Sequence, residues 1–325
     1  MMQLCCAAQL EAVRQLHKGG SSKLDSVIRE IRSNIETVER QQVLYEVTNF
    51  SDRAEALDFL ESHVIDRIEG LLLQDGWSEP LSGLMRYAEK VRLGLEGVDQ
   101  GLFRRLREDI ASGNCTSSDL RNRITMYARR ASSGGTHSAE GYDSLDALVS
   151  GLFLTEVAPE VPSQRDPEMV AYQPAPARVT LELVERADFR QHDVFYDIGS
   201  GLGLVPILVH LLTGVRARGV EVEPAYCEYA RRRASALRLS EVQFFNVDAR
   251  KADYSDGTVF FLYSPFEGNM LEQVLEGLRH ESTTRSIRLC TYGPCTLQAT
   301  QQKWLEPLDQ NGNHVNRLAI FATRQ

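Results

Sequence analysis

The stretch Val194-Phe195-Tyr196-Asp197-Ile198-Gly199-Ser200-Gly201-Leu202-Gly203 leaves this chain few folds to choose from. Its first residues read as a buried strand that ends in an acid. The glycines read as a tight turn, and the run from Leu204 to Leu212 as a helix. Strand, glycine turn and helix in that order open a doubly wound α/β sheet and build its nucleotide cradle. The glycine spacing narrows the ligand. A dinucleotide fingerprint needs glycines at the first, third and sixth positions, and the sixth position from Gly199 is Leu204. The third glycine falls at Gly203 instead, so an NAD-linked dehydrogenase fails on spacing. Asp197 would also repel a pyrophosphate, at a cost that water only partly screens. A ligand with positive charge suits it better.

Two more acids follow at strand ends. Ala217-Arg218-Gly219-Val220-Glu221-Val222-Glu223-Pro224 reads as a second strand, expected to end at Glu221 and leave Glu223 solvated. Glu221 lies 22 residues past Gly199, near the ~20-residue offset at which a βαβ unit puts an acid on ribose hydroxyls. After a helix from Tyr226 to Leu237, a third strand spans Val242 to Ala249, and its Asp248 is placed to accept from an adenine amino group. A fourth strand, Thr258 to Leu262, runs into Tyr263-Ser264-Pro265-Phe266. Three acids in the order ammonium, ribose, adenine suit a cationic adenosyl donor, S-adenosylmethionine.

On Asp197-Ile198-Gly199-Ser200-Gly201-Leu202-Gly203, Gly219-Val220-Glu221, Asp248-Ala249 and Tyr263 to Phe266, the chain resembles the class I S-adenosylmethionine-dependent methyltransferases over about residues 166 to 325. The approach Tyr172-Gln173-Pro174-Ala175-Pro176-Ala177-Arg178-Val179 is similar to the lead-in of Dot1-type methyltransferases and related bacterial enzymes, in which this segment folds over the cofactor. The resemblance implies a doubly wound, mostly parallel seven-stranded sheet with a terminal antiparallel hairpin. It also implies that Asp197, Gly199 and Gly201, with Ser200 between them, hold the methionine moiety. Glu221 takes the ribose, Asp248 with Ala249 takes the adenine, and Tyr172 with Pro174 closes the pocket. Tyr172 has a second reading, as an aromatic that docks the helical half onto the sheet. At the fourth strand the chain departs from the pattern. Dot1-type enzymes carry an Asn-rich turn there, and amino-methylating DNA and glutamine enzymes carry Asn/Asp-Pro-Pro-Tyr. Tyr263-Ser264-Pro265-Phe266 is neither, which leaves the acceptor atom open.

At 325 residues the chain calls for a second unit. Residues 23 to 48 form an amphipathic helix on Leu24, Val27, Ile28, Ile31, Ile35 and Val38. Ser51 is the expected N-cap of the next helix, which carries Leu57 to Leu72. Gly76 to Pro80 breaks the pattern; helix resumes over Leu84 to Leu95 and Leu102 to Ile110. Ser112 to Ser118 forms a loop that caps a helix from Asp119 to Arg130. Ser132 to Ser138 reads as a flexible linker, residues 141 to 154 as helix, and Ala158 to Pro167 as a separator. An α-helical domain over 1–165, for acceptor recognition or interaction, therefore precedes the methyltransferase domain over 166–325. At the end, Ile287 to Tyr292 reads as a fifth strand, and Trp304-Leu305 with Leu318 to Ala322 flank the turn Asp309 to His314 as a hairpin.

The formal charge of −9 argues against a nucleic-acid partner, because phosphate contacts need clustered Lys and Arg. Arg231-Arg232-Arg233 reads as a solvated helix face. The six cysteines show no Cys-x-x-Cys pair and no His at ligand spacing, so no metal is expected; Cys290 and Cys295 could meet across a turn, but free thiols are the favoured state. No apolar run approaches the ~18 residues of a membrane span, and Met1 to Leu16 does not read as a leader, which makes the cytoplasm the expected location.

Methyl transfer from a sulfonium is an in-line displacement, so the protein mainly aligns acceptor, methyl and sulfur. A base is needed only where the acceptor carries a proton. Tyr263 and Ser264, after the fourth strand, either face the methyl group or shape the cofactor pocket. Glu267 is either a general base or, as the favoured reading, the cap of a helix from Asn269 to Leu278. Tyr292 and Cys290 are candidates for the acceptor wall, with buried packing favoured for Cys290. The acceptor is a small molecule or a protein side chain. The alternative function is an S-adenosylmethionine-binding protein without transfer, its helical half an interaction module.

Overall fold

The computed structural model describes residues 24–75, 78–128, 144–153, 158–159, 166–309 and 314–324. The expected linker at Ser132 to Ser138 and most of the turn between Asp309 and His314 lie outside them. The chain divides into two compact units, Met1–Leu102 and Phe103–Gln325. The expected boundary at 165 marks a change from helix to sheet, and it falls inside the second unit.

In the first unit, α1 spans 24–39 and stops short of the expected 48. The cause is Arg53, which is fully buried and ion-paired to Asp99. Its guanidinium donates to the carbonyls of Leu44 (2.8 Å) and Glu46 (2.9 Å), so that stretch folds as a single tight turn over Gln42–Tyr45. The next helix, α2 (Phe50–Phe59), begins one residue before Ser51, which is buried in its first turn instead of capping it. Asn49 holds the cap position but turns its amide back, onto the Val43 carbonyl (2.9 Å) and the Glu46 carboxylate (3.1 Å). A widened π turn, Leu60–Ile65, joins α2 to α3 (Asp66–Asp75), and α4 runs unbroken over Glu79–Ala111, its last turns belonging to the second unit. Ile31, Ile35, Leu60, Val64, Ile68, Leu81, Leu84 and Leu95 recur at three- and four-residue steps and meet in one core.

The second unit adds α5 (Ser117–Ala128) and α6 (Ser144–Phe153) before the sheet. Thr116 and Asp119 form a reciprocal capping box at the start of α5, each accepting the other's backbone N–H at 3.1 Å. Then follow α7 (Ala177–Arg186), β1 (Val194–Ile198), α8 (Leu204–Thr213), β2 (Arg216–Glu221), α9 (Pro224–Ala236), β3 (Val242–Asn246), β4 (Val259–Leu262), α10 (Gly268–Glu281), β5 (Arg288–Thr291), α11 (Cys295–Thr300), β6 (Leu305–Pro307) and β7 (Ala319–Thr323). The strands form one seven-stranded sheet in the order β3-β2-β1-β4-β5-β7-β6. The first five are parallel; β7 enters antiparallel beside β5 and pairs with β6, as the hairpin expectation required.

Every residue of β1 and β4 is buried, as in a parallel sheet covered on both faces. Strand β3 is shorter than expected because Asn246 seals its end, donating to the carbonyls of Glu221 (3.0 Å) and Val222 (2.8 Å). Strand order reverses at β1, with β2 on one side and β4 on the other, and ligands of such sheets bind beyond the carboxyl ends at this switch. Cys290 and Cys295 are both buried free thiols, without a bond between them. Arg231 is more than a solvated face: its guanidinium reaches the Phe244 carbonyl (2.8 and 3.0 Å) and ties α9 to β3.

Candidate active site

Beyond the carboxyl ends of β1 to β5 lies a cavity of about 1190 Å³. The turn after β1 forms its floor. Gly199 has φ +83° and Gly201 φ +51°, a region that costs a side-chain-bearing residue roughly 1–2 kcal/mol. Space forbids a side chain as well. A Cβ on Gly199 would stand 2.2 Å from Cβ of Pro265, and one on Gly201 2.2 Å from the ring of Tyr172. The glycines thus let the β4 turn and the lead-in segment close on the β1 turn from two sides.

Asp197, the next-to-last residue of β1, has only 4% of its surface exposed. Burial, and then the neighbouring Glu221 carboxylate, push it up to about 8. No hydrogen-bond donor offsets this among the described residues, so the site holds an acid that lacks a cation. Glu221 is raised by burial too, but it is fixed: one oxygen accepts the Gly201 N–H and the other the Glu223 N–H, both at 2.8 Å. Each oxygen keeps a lone pair for a further donor. The Ser200 hydroxyl is buried without a partner. Asp248 differs, because the Arg250 guanidinium grips its carboxylate (2.6–3.1 Å) and holds it below the usual range. Strand β2 ends at Glu221 as expected, while Glu223 is half-buried and stands at the N-cap of α9, accepting from the Ala225 N–H at 3.5 Å.

On the lead-in, the ring of Tyr172 packs 5.1 Å from that of Tyr226. The wall opposite comes from the turn after β4. Tyr263 lies tilted against Tyr292, ring centroids 5.4 Å apart, and Arg178 donates to the Tyr292 phenol oxygen at 3.2 Å. Ser264 has φ +42°, a strained value for a residue with a side chain, and its hydroxyl is engaged: it donates to the Tyr292 carbonyl (3.3 Å) and accepts the Cys295 N–H (3.1 Å). This bond clamps β4 to the start of α11. Glu267 stands at the cap position of α10 yet makes no cap bond, which corrects the capping expectation. The carboxylate of Glu168 takes that place, accepting from Asn269 (3.1 Å) and Met270 (2.7 Å), while the side chain of Glu267 stays exposed at the cavity wall.

The cavity gathers Tyr172, Pro174, Asp197, Gly199, Ser200, Glu221, Asp248, Ala249, Tyr263, Ser264 and Glu267 at its lining, with Gly201 just beneath Tyr172. Sequence reasoning missed Glu168 and Tyr226. An aromatic two residues after Pro224, in the first turn of the helix beyond Glu221, was a readable signal for Tyr226. Nothing local announces a cap that arrives from 101 positions upstream. Seven of the lining residues are carboxylic acids, and no Lys, Arg or His lines the cavity among the described residues.

A sheet of this order, with this glycine turn and with acids at the carboxyl ends of β1 and β2, gives the second unit the fold of the class I S-adenosylmethionine-dependent methyltransferases. Within it, residues 172–268 match the family of the histone methylation protein DOT1, a match over less than a third of the chain. No curated protein matches the sequence. Among solved structures, the chain is similar to an RNA methyltransferase from Salinibacter ruber (24% identity, TM-score 0.35), covering 46% of this chain and 92% of that one. It is also similar to a precorrin-6y C5,15-methyltransferase from Geobacter metallireducens GS-15 (17%, TM-score 0.37, 49% and 95%). A third is a geranyl diphosphate C-methyltransferase from Streptomyces coelicolor A3(2) (15%, TM-score 0.34, 45% and 78%). Likenesses this remote decide nothing about the acceptor.

Proposed function

We propose that this protein transfers a methyl group from S-adenosylmethionine to a neutral or cationic acceptor, either a small molecule or a basic protein side chain. One observation carries the reading: the cavity has carboxylates on its floor and rim and, among the described residues, no basic side chain in its lining. A phosphorylated or nucleic-acid acceptor would meet only like charge there. The residues present also fit the cofactor. Asp197 is a buried acid without a cation, Ser200 offers a buried hydroxyl without a partner, and Glu221 is a fixed acceptor pair.

When bound, the cofactor supplies an electrophilic methyl group on a sulfonium. Asp197 then receives the ammonium, Glu221 accepts from the ribose hydroxyls, and Asp248 with the backbone of Ala249 borders the adenine. Tyr172 and Pro174 close over them and exclude water. Tyr263, Tyr292 and the turn held by Ser264 orient the acceptor. Glu267 is the carboxylate available to take a proton, because it carries no capping duty. The buried free thiols Cys227, Cys290 and Cys295 suit a reducing cytoplasm. No helix among the described residues is long and apolar enough to cross a membrane.

Calorimetry with S-adenosylhomocysteine and NAD side by side tests the cofactor; heat from NAD alone would overturn the reading. Labelled-methyl transfer into a lysate fractionated by size then separates small-molecule from protein acceptors. Label found only in nucleic acid would overturn the acceptor class, and binding with no label anywhere would favour the non-catalytic alternative.

A further inference from the structure

Residues 166–176 carry Tyr172 and Pro174 across the cavity, and carboxylates at two helix starts hold this segment at both ends. After its last residue, Asp146 of α6 accepts the Ala177 N–H at 2.5 Å. Near its start, the Glu168 carboxylate accepts from Asn269 and Met270 in the first turn of α10. The backbone pairs there as well. The Glu168 carbonyl accepts the Glu267 N–H (2.9 Å), the Pro265 carbonyl accepts the Val170 N–H (3.1 Å), and Met169 bridges Phe266 in antiparallel sense.

We propose that Glu168 is a positioning residue for cofactor closure: by capping α10 it fixes residues 166–176 over the cavity and couples them to the turn Tyr263–Glu267 that forms the acceptor wall. This rests on the cofactor reading above. A cap that served α10 alone could come from Glu267, the adjoining residue, which makes no such bond. Glu168 arrives from another segment, so the helix gains its cap only when that segment is docked. A negative charge suits the N-terminal end of α10, a helix of 14 residues. The fit is close, since a Cβ on Gly268 (φ +58°) would stand 2.6 Å from a Glu168 carboxylate oxygen. Glu168 and Asp166 also attract Arg250, the residue that grips Asp248 on the adenine side. The segment thus bears on both sides of the cavity, through the Tyr172 ring at Gly201 and through the charges that act on Arg250.

The test compares the full chain with Glu168→Ala, Glu168→Gln and, as a control cap far from the cavity, Thr116→Ala. The readouts are the S-adenosylhomocysteine Kd by calorimetry, Tm, and amide hydrogen exchange of Val170 without ligand. Glu168→Ala is expected to weaken binding about tenfold, the equilibrium size of one lost cap. Glu168→Gln, whose carbonyl still accepts, is expected to weaken it less, and Val170 is expected to exchange faster in both variants. Thr116→Ala should lower Tm with unchanged Kd. The proposal is overturned if Glu168→Ala lowers Tm while leaving Kd at the wild-type value, or if Val170 exchange does not change. Failure of the wild-type protein to bind S-adenosylhomocysteine would instead overturn the cofactor reading, and Val170 exchange would still decide the role of Glu168.

Discussion

Asp197 keeps its proton near neutrality because its surroundings offer no compensation: it is buried beside Glu221 and accepts no hydrogen bond among the described residues. Its unfolded value is near 3.8, so between about pH 4 and pH 8 the folded form holds the extra proton. Stability of the ligand-free protein should therefore fall as pH rises through that window, with Glu221 acting in the same direction. Affinity for the cationic cofactor should move oppositely, rising toward about pH 8 as Asp197 ionises. Asp197→Asn is expected to flatten both profiles; thermal melts and calorimetry across the pH range check this, and unchanged slopes would remove Asp197 from the ammonium site. Gly201 gives a second residue-level prediction. Gly201→Ala should cost roughly 1–2 kcal/mol for its positive φ and displace the Tyr172 ring, weakening cofactor binding as well. Adding Tyr172→Ala should recover Tm in part while binding stays weak. Full recovery of both would mean that Tyr172 contributes only bulk.

Among the elements, two helices beside the cavity, α7 and α10, start on acids from elsewhere in the chain. Helix α7 begins after Pro176, which offers no side-chain cap, and Asp146 of α6 supplies the acceptor instead. Asp146→Ala should cost about 1 kcal/mol and lower Tm, with Asp146→Asn retaining much of it. Equal loss in both would assign the effect to packing. The strand and helix pattern of this unit was legible because β1, β4 and β7 are largely apolar runs and the turn after β1 is rich in glycine. Boundaries moved where a side chain took backbone partners from afar. Arg53 claims the carbonyls that would have extended α1, and Asn49 spends its amide on the preceding turn instead of capping α2. Asn246 ends β3 short of Ala249 in the same way, by bonding to the carbonyls of the last residue of β2 and the one after it.

For the whole molecule, the compact unit that contains the sheet begins at Phe103, although the composition changes near 165. The bond from Asp146 to Ala177 makes α6 part of what holds α7. A fragment spanning 103–325 should therefore melt cooperatively and bind S-adenosylhomocysteine, whereas one spanning 166–325 should melt lower or aggregate. Equal melting of the two would make 165 the physical boundary.

The sequence alone determined the sheet, its glycine turn and the acids at the carboxyl ends of β1 and β2, because period, turn chemistry and charge are local properties of neighbouring residues. It also supplied the part of the cavity lining that follows β1 to β4, since residues that follow parallel strands must share one edge of the sheet. Only the tertiary structure decided that Glu168 caps α10, that Arg250 grips Asp248 and that the Ser264 hydroxyl is spent on a clamp. Those bonds depend on which distant segments meet, and a hydrogen bond a few ångströms long leaves no periodic trace in the order of residues.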